Sequence, residues 1–581
     1  MSDEQRSLLD GGVNGGHEGL SKSGARANGY SPMVAYAFTV NMIIGAGILG
    51  LPFAFYNGGV VLSIILLFIA SFLCFVTLCF LIEACARAEA FADTLDGFAE
   101  PMAINDRNDS EHAALVRPAA SSATNRLSSH GTFSSSYSAR LAASNSAVSS
   151  AQAAEELAMV QERMTIGYSG RKFEVSELCG LFLAIYVEPS SWWARFADAN
   201  GFIHPVRRFY ELSIFLYNCG AMWLYSSIFA SALSVVIPLT FLSGYHSVQP
   251  DIGTVCQTVT SSGADAYCVH AYYFFLALYA TIMIPIVCLD LTAQRKLQMS
   301  LTLFAFFCMI VMIITVLVAV DHAPYSTALP NVSTSAPYFD TSRLFEISGF
   351  GKIFTTAIVA QVAHPGAPGF VVLVRDKMKT RRIFGAALSS TFLFYALLSA
   401  LCAMYFSDSV QSVVTLNWKT YSGEASTGES TPVWAQVVSY LIVLFPTITV
   451  SAAFPLYAIS LAESLANAAP ASLLQKISRK KLNYVLRISL ALLAIGGAAL
   501  VRDVSKVLEF EGLFGFVLAF FAPCLLQYFS KRVCIRRFGP AAEKTPYSWH
   551  FSHDGYAIGI MVVTFGCFVY SLYTVILDYS S

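Results

Sequence analysis

The fold is decided by the stretch Asn41-Met-Ile-Ile-Gly45-Ala-Gly47-Ile-Leu-Gly50-Leu-Pro52, which lies in an apolar run from about Met33 to Gly59. The run is long enough to cross a bilayer as a helix. Each glycine weakens a helix by roughly 1 kcal/mol relative to alanine, and an interior proline by roughly 3 kcal/mol. A break at this depth frees backbone N–H and C=O groups, which hydrocarbon tolerates only beside protein or a water-filled cavity. Two interpretations remain open: a discontinuous helix that binds a small solute, which we favour, and a glycine face that packs on another helix.

The composition is that of a polytopic membrane protein. Of 581 residues, 55% are hydrophobic and only 13% are charged, and the mean hydropathy is +0.58. Soluble domains carry about twice that charge. The net charge of −1 says nothing about nucleic acid, and neither a basic tract nor a zinc-finger spacing indicates a nucleic-acid partner. The thirteen cysteines contain no C-x-x-C pair, so the sequence predicts no metal or redox cofactor.

Four regions follow from changes in composition along the chain. Residues 1–31 and 88–172 are polar and rich in small residues, which predicts a disordered tail and a disordered Ser/Ala-rich loop. Residues 32–87 contain the first two spans, and residues 173–581 contain the others after an interfacial segment at 173–207. These others are expected near residues 209–237, 272–289, 297–320, 353–374, 383–406, 434–461, 482–501, 508–529 and 557–577. The total is about eleven crossings.

Positive charges predict the orientation. Lys and Arg are concentrated in alternate loops, among them 375–382, 476–481 and 531–537, so these loops and the N-terminus are expected in the cytosol. An odd number of crossings then places the C-terminus in the lumen or outside the cell. The acids of the spans lie near helix ends and are expected to reach water there: Glu83, Glu211, Asp290, Glu463, Glu509 and Glu511.

Three short patterns are consistent with this orientation. The sequon at Asn331 falls outside, where it can be glycosylated. Cys256 and Cys268 also fall outside, where a disulfide can form. The cytosolic tail contains Glu4-Gln-Arg-Ser-Leu8-Leu9, which resembles the acidic dileucine signal that clathrin adaptors bind. The signal favours an endolysosomal or vacuolar membrane, with the plasma membrane as the alternative.

A second interrupted span follows five helices after the first. Its middle reads Gln361-Val-Ala-His364-Pro365-Gly366-Ala-Pro368-Gly369, which cannot continue a plain helix. Paired interruptions at corresponding positions indicate an inverted-repeat transporter with its site between them. The prediction is an all-α membrane protein with two repeats of five helices and one extra C-terminal helix.

The first-span signature, through Pro52-Phe-Ala-Phe55, resembles that of the amino acid/auxin permease superfamily. The break at His364-Pro365 is similar to its sixth helix. Within the superfamily the chain looks most like the transmembrane protein 104 branch, also at Phe173-Glu-Val-Ser-Glu177 and from Phe445 to Pro455. The resemblance implies a leucine-transporter-type fold and secondary transport of amino acids. It also implies that freed backbone binds the substrate's charged groups at Gly45, Ala46, Gly47, Ile48, Ala363 and His364.

The coupling ion is left open between Na⁺ and H⁺. Asn41 matches an asparagine that serves sodium in coupled members of the superfamily, and Thr447, Thr449 and Ser451 of the eighth span offer hydroxyl oxygens. Such hydroxyls more commonly bond carbonyls of their own helix. His364 is the proton alternative, because histidine titrates near neutral pH; a structural histidine bonded across the break is the simpler interpretation. Tyr217 and Asn218 in the third span are interpreted as interhelical hydrogen-bonding groups.

The sequence therefore predicts a secondary transporter of small, neutral amino acids in a lipid bilayer. The alternative is an amino-acid-sensing receptor that signals through the 88–172 loop. An enzyme is not expected, because the chain has neither H-E-x-x-H nor G-x-S-x-G. The letters of G-x-G-x-x-G at Gly45 to Gly50 lack the flanking strand that nucleotide binding requires.

Overall fold

The computed structural model describes residues 30–45, 47–105, 173–184, 205–239, 266–289, 294–321, 343–423, 431–467 and 477–580. Over these residues the chain is helical, and the one β-type pairing is a bridge between Tyr30 and Val374. Nine of the described helical segments are long and apolar enough to span a membrane. The predicted all-α polytopic class is confirmed, whereas the total of crossings and the five-plus-five repeat stay predictions.

Each predicted span coincides with one helix or with a pair of helices. In chain order they are α1 (Pro32–Ile43), α2 (Gly47–Gly58), α3 (Val60–Asn105), α4 (Val175–Ala184), α5 (Pro205–Val236), α6 (Ala266–Val287), α7 (Gln294–Asp321), α8 (Phe350–Gln361), α9 (Ala367–Leu373), α10 (Thr380–Phe406), α11 (Val433–Asn467), α12 (Arg479–Leu500), α13 (Val504–Phe516), α14 (Ala522–Phe538) and α15 (Asp554–Ser580). A π-helical turn, Val517–Phe521, joins α13 to α14, so these two form one segment.

The first and sixth spans are both broken, as the sequence predicts. α1, α2 and α8 have 12 residues each and α9 has 7. A 12-residue helix measures about 18 Å, well short of the ~30 Å hydrocarbon core. At the sixth break Pro365 has no N–H to donate, and Pro368 lies in the first turn of α9, where no donor is needed. Only the two halves together are long enough to span.

The two broken spans run in opposite directions and are joined at both ends. Tyr30, just before α1, donates its backbone N–H to Leu373 at 2.8 Å, and Arg375 donates to Tyr30 at 3.1 Å, just after α9. At the other end Glu346, just before α8, donates to the Gly58 carbonyl that ends α2 at 2.8 Å. The start of each broken span therefore lies beside the end of the other. This is the relative direction that an inverted repeat requires.

The third span, α5, is the central helix of the bundle and packs against α6, α11, α12 and α13. It presents four small polar residues that are almost fully buried: Ser226, Ser227, Ser231 and Ser234. Small side chains let helix backbones approach closely in membranes, where no hydrophobic force drives association. The sequence of α5 therefore favours a central position.

Two boundaries differ from the prediction. α3 continues as a helix to Asn105, so residues 88–105 are not part of a disordered loop. The Ala-, Glu- and Leu-containing sequence there has high helix propensity, which explains the extension. The predicted interfacial segment contains α4, whose Val175, Leu178 and Phe182 are buried in contact with the bundle rather than exposed at a surface. The rest of the 88–172 loop, and residues 1–29 with the dileucine pattern, lie outside the described residues.

The expectation that Glu83 reaches water is wrong. Its side chain is fully buried and forms an ion pair with the equally buried Arg87 at 2.9 Å. Gln527 Nε2 donates to Glu83 at 3.2 Å, and the Ser548 and Ser552 hydroxyls donate to it as well. The loop that follows α14 folds back to supply both serines, which a reading of span ends could not anticipate. By contrast, the Glu463 side chain is 57% exposed, as expected.

Candidate functional site

The two breaks lie against each other near the middle of the paired spans. A Cβ added at Gly47, the first residue of α2, would lie 2.7 Å from both the Cα and the N of Ala360 in α8. A Cβ added at Gly366 would lie 2.6 Å from the Met42 Cε of α1. These two contacts flank both interruptions, which are roughly 300 residues apart in the sequence. The structure therefore brings together the two stretches on which the sequence prediction depends.

The glycines of the first break have different surroundings: some support the helix-packing interpretation and one supports the solute-binding interpretation. Gly47 packs on the α8 backbone, and Gly50 packs on the Leu508 side chain of α13, so both serve helix packing. Gly45 is exposed, and an added Cβ would meet nothing within 4 Å. Packing at Gly47 does not use its N–H, and the first four N–H groups of a helix have no partner within it. The start of α2, at Gly47 and Ile48, therefore offers backbone donors beside open space at Gly45.

Two predicted residues of this break, Asn41 and Ala46, lie wholly or partly outside the described residues. Ala46 lies outside the described residues. Asn41 is helical in its backbone, within α1, but its side chain also lies outside the described part. Their roles stay predictions.

The sixth break is buried, and some of its polar groups are hydrogen-bonded. Ala363 is 3% exposed, and its carbonyl accepts the Ala367 N–H at 3.1 Å. His364 is fully buried, and its Nε2 lies 2.8 Å from the Thr77 hydroxyl of α3, while Nδ1 has no partner. The contact across helices agrees with the structural interpretation of this histidine. It leaves the proton role untested.

The three hydroxyls of the eighth span, in α11, are not equivalent. Thr449 bonds the Phe445 and Pro446 carbonyls at 3.2 and 3.0 Å, and Ser451 bonds the Thr447 carbonyl at 2.6 Å. These are the bonds within one helix that such residues commonly form. Thr447 differs, because its buried hydroxyl oxygen has no partner. Of the three, it is the hydroxyl without a hydrogen-bond partner.

Sequence reasoning missed the acids of the tenth span, α13. Glu509 and Glu511 are each only 2% exposed, so the expectation that they reach water is wrong. Glu509 forms an ion pair with Lys352 of α8 at 3.4 Å. Glu511 faces α5: a Cβ added at Gly220 would lie 3.3 Å from the Glu511 Cβ, and Tyr217 of the same helix lies nearby. The interhelical hydrogen bond of Tyr217 stays a prediction. Their depth follows from packing between α5 and α8, which no local pattern encodes.

Of the features predicted for the outer surface, Cys268 lies within the described residues. Cys268 is disulfide-bonded, but its predicted partner Cys256 and the glycosylation site Asn331 lie outside the described residues. Eleven other cysteines are free thiols.

The fold and the apposed breaks define a transporter-like membrane protein. Residues 28–99, which contain the first break, match the family model described as transmembrane amino acid transporter protein. A transmembrane protein 104 homolog of Dictyostelium discoideum is 22% identical over 575 residues, covering 95% of this chain and 98% of that protein. Human transmembrane protein 104 is 23% identical and covers 74% of each chain, and the Drosophila melanogaster homolog is 23% identical and covers 88% and 90%. The predicted resemblance is confirmed.

Proposed function

We propose that this protein is a secondary transporter of small, neutral amino acids. The apposition of two broken, oppositely directed spans carries the proposal, since transporters of this kind bind substrate where interrupted helices meet. Rocking of one helix group against another would expose the site alternately to each side of the membrane. The match of the first two spans to an amino acid transporter family supports the substrate class.

The backbone at the breaks suits the two charged groups of an amino acid. The N-terminus of a helix acts as a partial positive charge of roughly half a unit, and carboxylates bind there. The N–H groups of Gly47 and Ile48 would therefore bind the carboxylate, next to Gly45 and Ala46. The carbonyls of Ala363 and His364, at the other break, would accept the ammonium group.

The coupling ion is proposed to be Na⁺ or H⁺. For sodium, Thr447 is the strongest candidate on geometry, because its oxygen is buried and unpartnered. Asn41, Thr449 and Ser451 would complete an oxygen site of the kind that hard cations prefer. For the proton, His364 stays the candidate at the break.

The test is uptake of a radiolabelled amino acid panel into proteoliposomes that contain the full-length protein. A Na⁺ gradient, a pH gradient or neither is imposed. Sodium-driven uptake that is lost in Thr447→Val would support the sodium site. Thr564→Val is the matched control, because Thr564 is also buried but bonds its own helix at Ile560 and lies in α15.

Other uptake results would favour a different coupling ion or the receptor alternative. Uptake driven only by acid outside, and lost in His364→Gln, would support the proton site instead. Saturable amino acid binding without accumulation under either gradient would overturn the transporter and favour the receptor. In that case residues 106–172, the part of the predicted loop beyond α3, would be deleted next, with signalling as the readout.

The cellular setting is part of the same proposal. The N-terminus would lie in the cytosol, where the Glu4-Leu8-Leu9 signal could bind a clathrin adaptor and direct the protein to endolysosomal or vacuolar membranes. Asn331 would carry a glycan and Cys256 would pair with Cys268 on the opposite face. Loss of a glycosidase-sensitive mass shift in Asn331→Gln would be the direct check of this orientation.

A further inference from the structure

Glu511 in α13 is a buried carboxyl group without a cation. It is 2% exposed, its Oε2 has no partner, and none of the described Lys or Arg side chains forms an ion pair with it. Three other acids of the described part do have such partners: Glu83 is paired with Arg87, Glu509 with Lys352 and Glu543 with Lys531. A lone ionised carboxylate is costly to hold within a membrane span. Glu511 is therefore set apart from the structural acids.

The titratable groups that lie around Glu511 are tyrosines of two helices. From α5 come Tyr217 and Tyr225, and from α11 comes Tyr457. We call these three the tyrosine cluster; Tyr225 and Tyr457 also pack edge to face, with ring centroids 5.6 Å apart. Lys352, the basic residue of α8, forms its ion pair with Glu509 at 3.4 Å. α2 contributes the apolar approach of Gly50 to Leu508, and α15 contributes Phe568 against α13.

Glu511 lies between the broken spans and the helices that oppose them. A Cβ added at Gly220 of α5 would lie 3.3 Å from the Glu511 Cβ. One residue further on, a Cβ added at Gly512 would lie 2.5 Å from the Thr355 Cβ of α8. α13 thus contacts the central helix on one side and a broken span on the other, at adjacent residues. A change of charge at Glu511 acts at the boundary across which rocking must occur.

We propose that Glu511 carries the coupled proton: it binds H⁺ together with the substrate on the acidic side and releases it on the other. The step is a proton transfer alone, in which the carboxylate takes one proton to become a neutral carboxylic acid and later returns it. In an apolar site the neutral acid is the favoured form, whereas the anion requires solvation. The tyrosine cluster places phenol groups near the carboxyl group, and a hydroxyl can donate to the anion or accept from the neutral acid. The inference rests on the proposed transport function and places proton coupling at Glu511 rather than at His364.

The experiment compares accumulation with exchange in proteoliposomes of wild type and Glu511→Gln. With one proton per neutral substrate and the membrane potential held at zero, a pH difference of one unit drives about tenfold accumulation. Glu511→Gln is expected to reduce this ratio to about one, because an amide cannot carry a proton. It should still exchange labelled for unlabelled amino acid without a gradient, and the exchange should no longer depend on pH. Glu511→Asp should accumulate substrate, because it keeps the carboxyl group.

Asp408→Asn is the matched control. It also removes one carboxylate, but Asp408 is exposed and lies in the 3-10 turn Ser407–Ser409 that follows α10. Its accumulation should match that of wild type. A second readout does not depend on transport: infrared difference spectra of the purified protein should show the carbonyl band of a protonated carboxylic acid that is missing in Glu511→Gln.

The results distinguish a failure of the coupling role of Glu511 from a failure of the proposed transport function. Wild-type accumulation in Glu511→Gln under a pH gradient would overturn the coupling role and leave the transporter intact. So would accumulation driven by Na⁺ alone and unchanged by the substitution. A wild-type protein that neither accumulates nor exchanges any amino acid would refute the proposed function, and the coupling role with it.

Discussion

The close approach of the two broken spans makes Gly47 the most sensitive position of the first break. We expect Gly47→Ala to destabilise the protein, because the new Cβ would lie 2.7 Å from the Ala360 Cα and N. Carbon atoms pack best at about 3.5–4.0 Å, so α2 and α8 would have to separate by roughly 0.8–1.3 Å. Both nearest atoms belong to the backbone and cannot rotate away.

Gly45→Ala is the matched control for this substitution. It lies two residues away in the same break, where an added Cβ meets nothing within 4 Å. Its φ is not in the left-handed region, so alanine fits the backbone. Both substitutions remove the same unfolded-state freedom, which by itself stabilises a protein by about 0.4–1 kcal/mol. The difference between the two variants therefore isolates the steric term.

Overpacking of this kind costs about 1–3 kcal/mol. Gly47→Ala should unfold more easily than Gly45→Ala by that amount, or by about tenfold in the unfolding equilibrium constant for each 1.4 kcal/mol. The assay is unfolding in mixed detergent and dodecyl sulfate micelles, followed by circular dichroism. Equal stability of the two alanine variants would refute the apposition of α2 and α8, and with it the site.

Three further predictions concern stability away from the breaks. Arg87→Met should destabilise the protein by about 3–5 kcal/mol, because it leaves the buried Glu83 carboxylate without its cation; the double variant with Glu83→Gln should recover part of the loss in the same unfolding assay. Thr315→Val should cost about 1–3 kcal/mol, because the buried Trp418 indole N–H loses the hydroxyl that it meets at 2.8 Å. Burial lowers the pKa of Lys419, in the loop between α10 and α11, to about 8 from 10.5. Between these values the unfolded state binds more protons than the folded state, so the free energy of unfolding should rise with pH, and Lys419→Met should remove this rise.

Three results would contradict these predictions. A double variant at Glu83 and Arg87 that is less stable than Arg87→Met alone would show that the two charges do not act as a pair. Unchanged stability of Thr315→Val would mean that the indole finds another acceptor. A pH profile that is the same with methionine at position 419 would assign the rise to other groups.

The local signals in the sequence were sufficient for the class of protein and for the broken spans. Hydropathy and length predict spanning helices because a bilayer imposes one thickness on every crossing. Glycine and proline predict the interruptions because their effect on the helix backbone is local. α1 and α2 separate around Gly45, and α8 and α9 separate around Pro365, where the sequence places the breaks.

The role of each residue at the breaks depends on neighbours that are far away in the sequence. Gly45 and Gly47 look alike along the chain, but one faces open space and the other the α8 backbone. Thr447 and Thr449 are also similar by pattern, and only the helix geometry leaves the Thr447 hydroxyl without a partner. A sequence pattern gives residue type and spacing, and neither specifies the opposing surface.

The sequence by itself determined that the chain crosses a membrane many times and that its first and sixth spans are interrupted, because these properties depend on the solvent and on single residues. Tertiary structure alone decided that the interruptions meet, that His364 contacts Thr77, and that Glu511 is buried without a cation. Burial of a charge depends on which helices surround it. Those helices come from segments that are hundreds of residues apart, so their packing sets the environment of each charge.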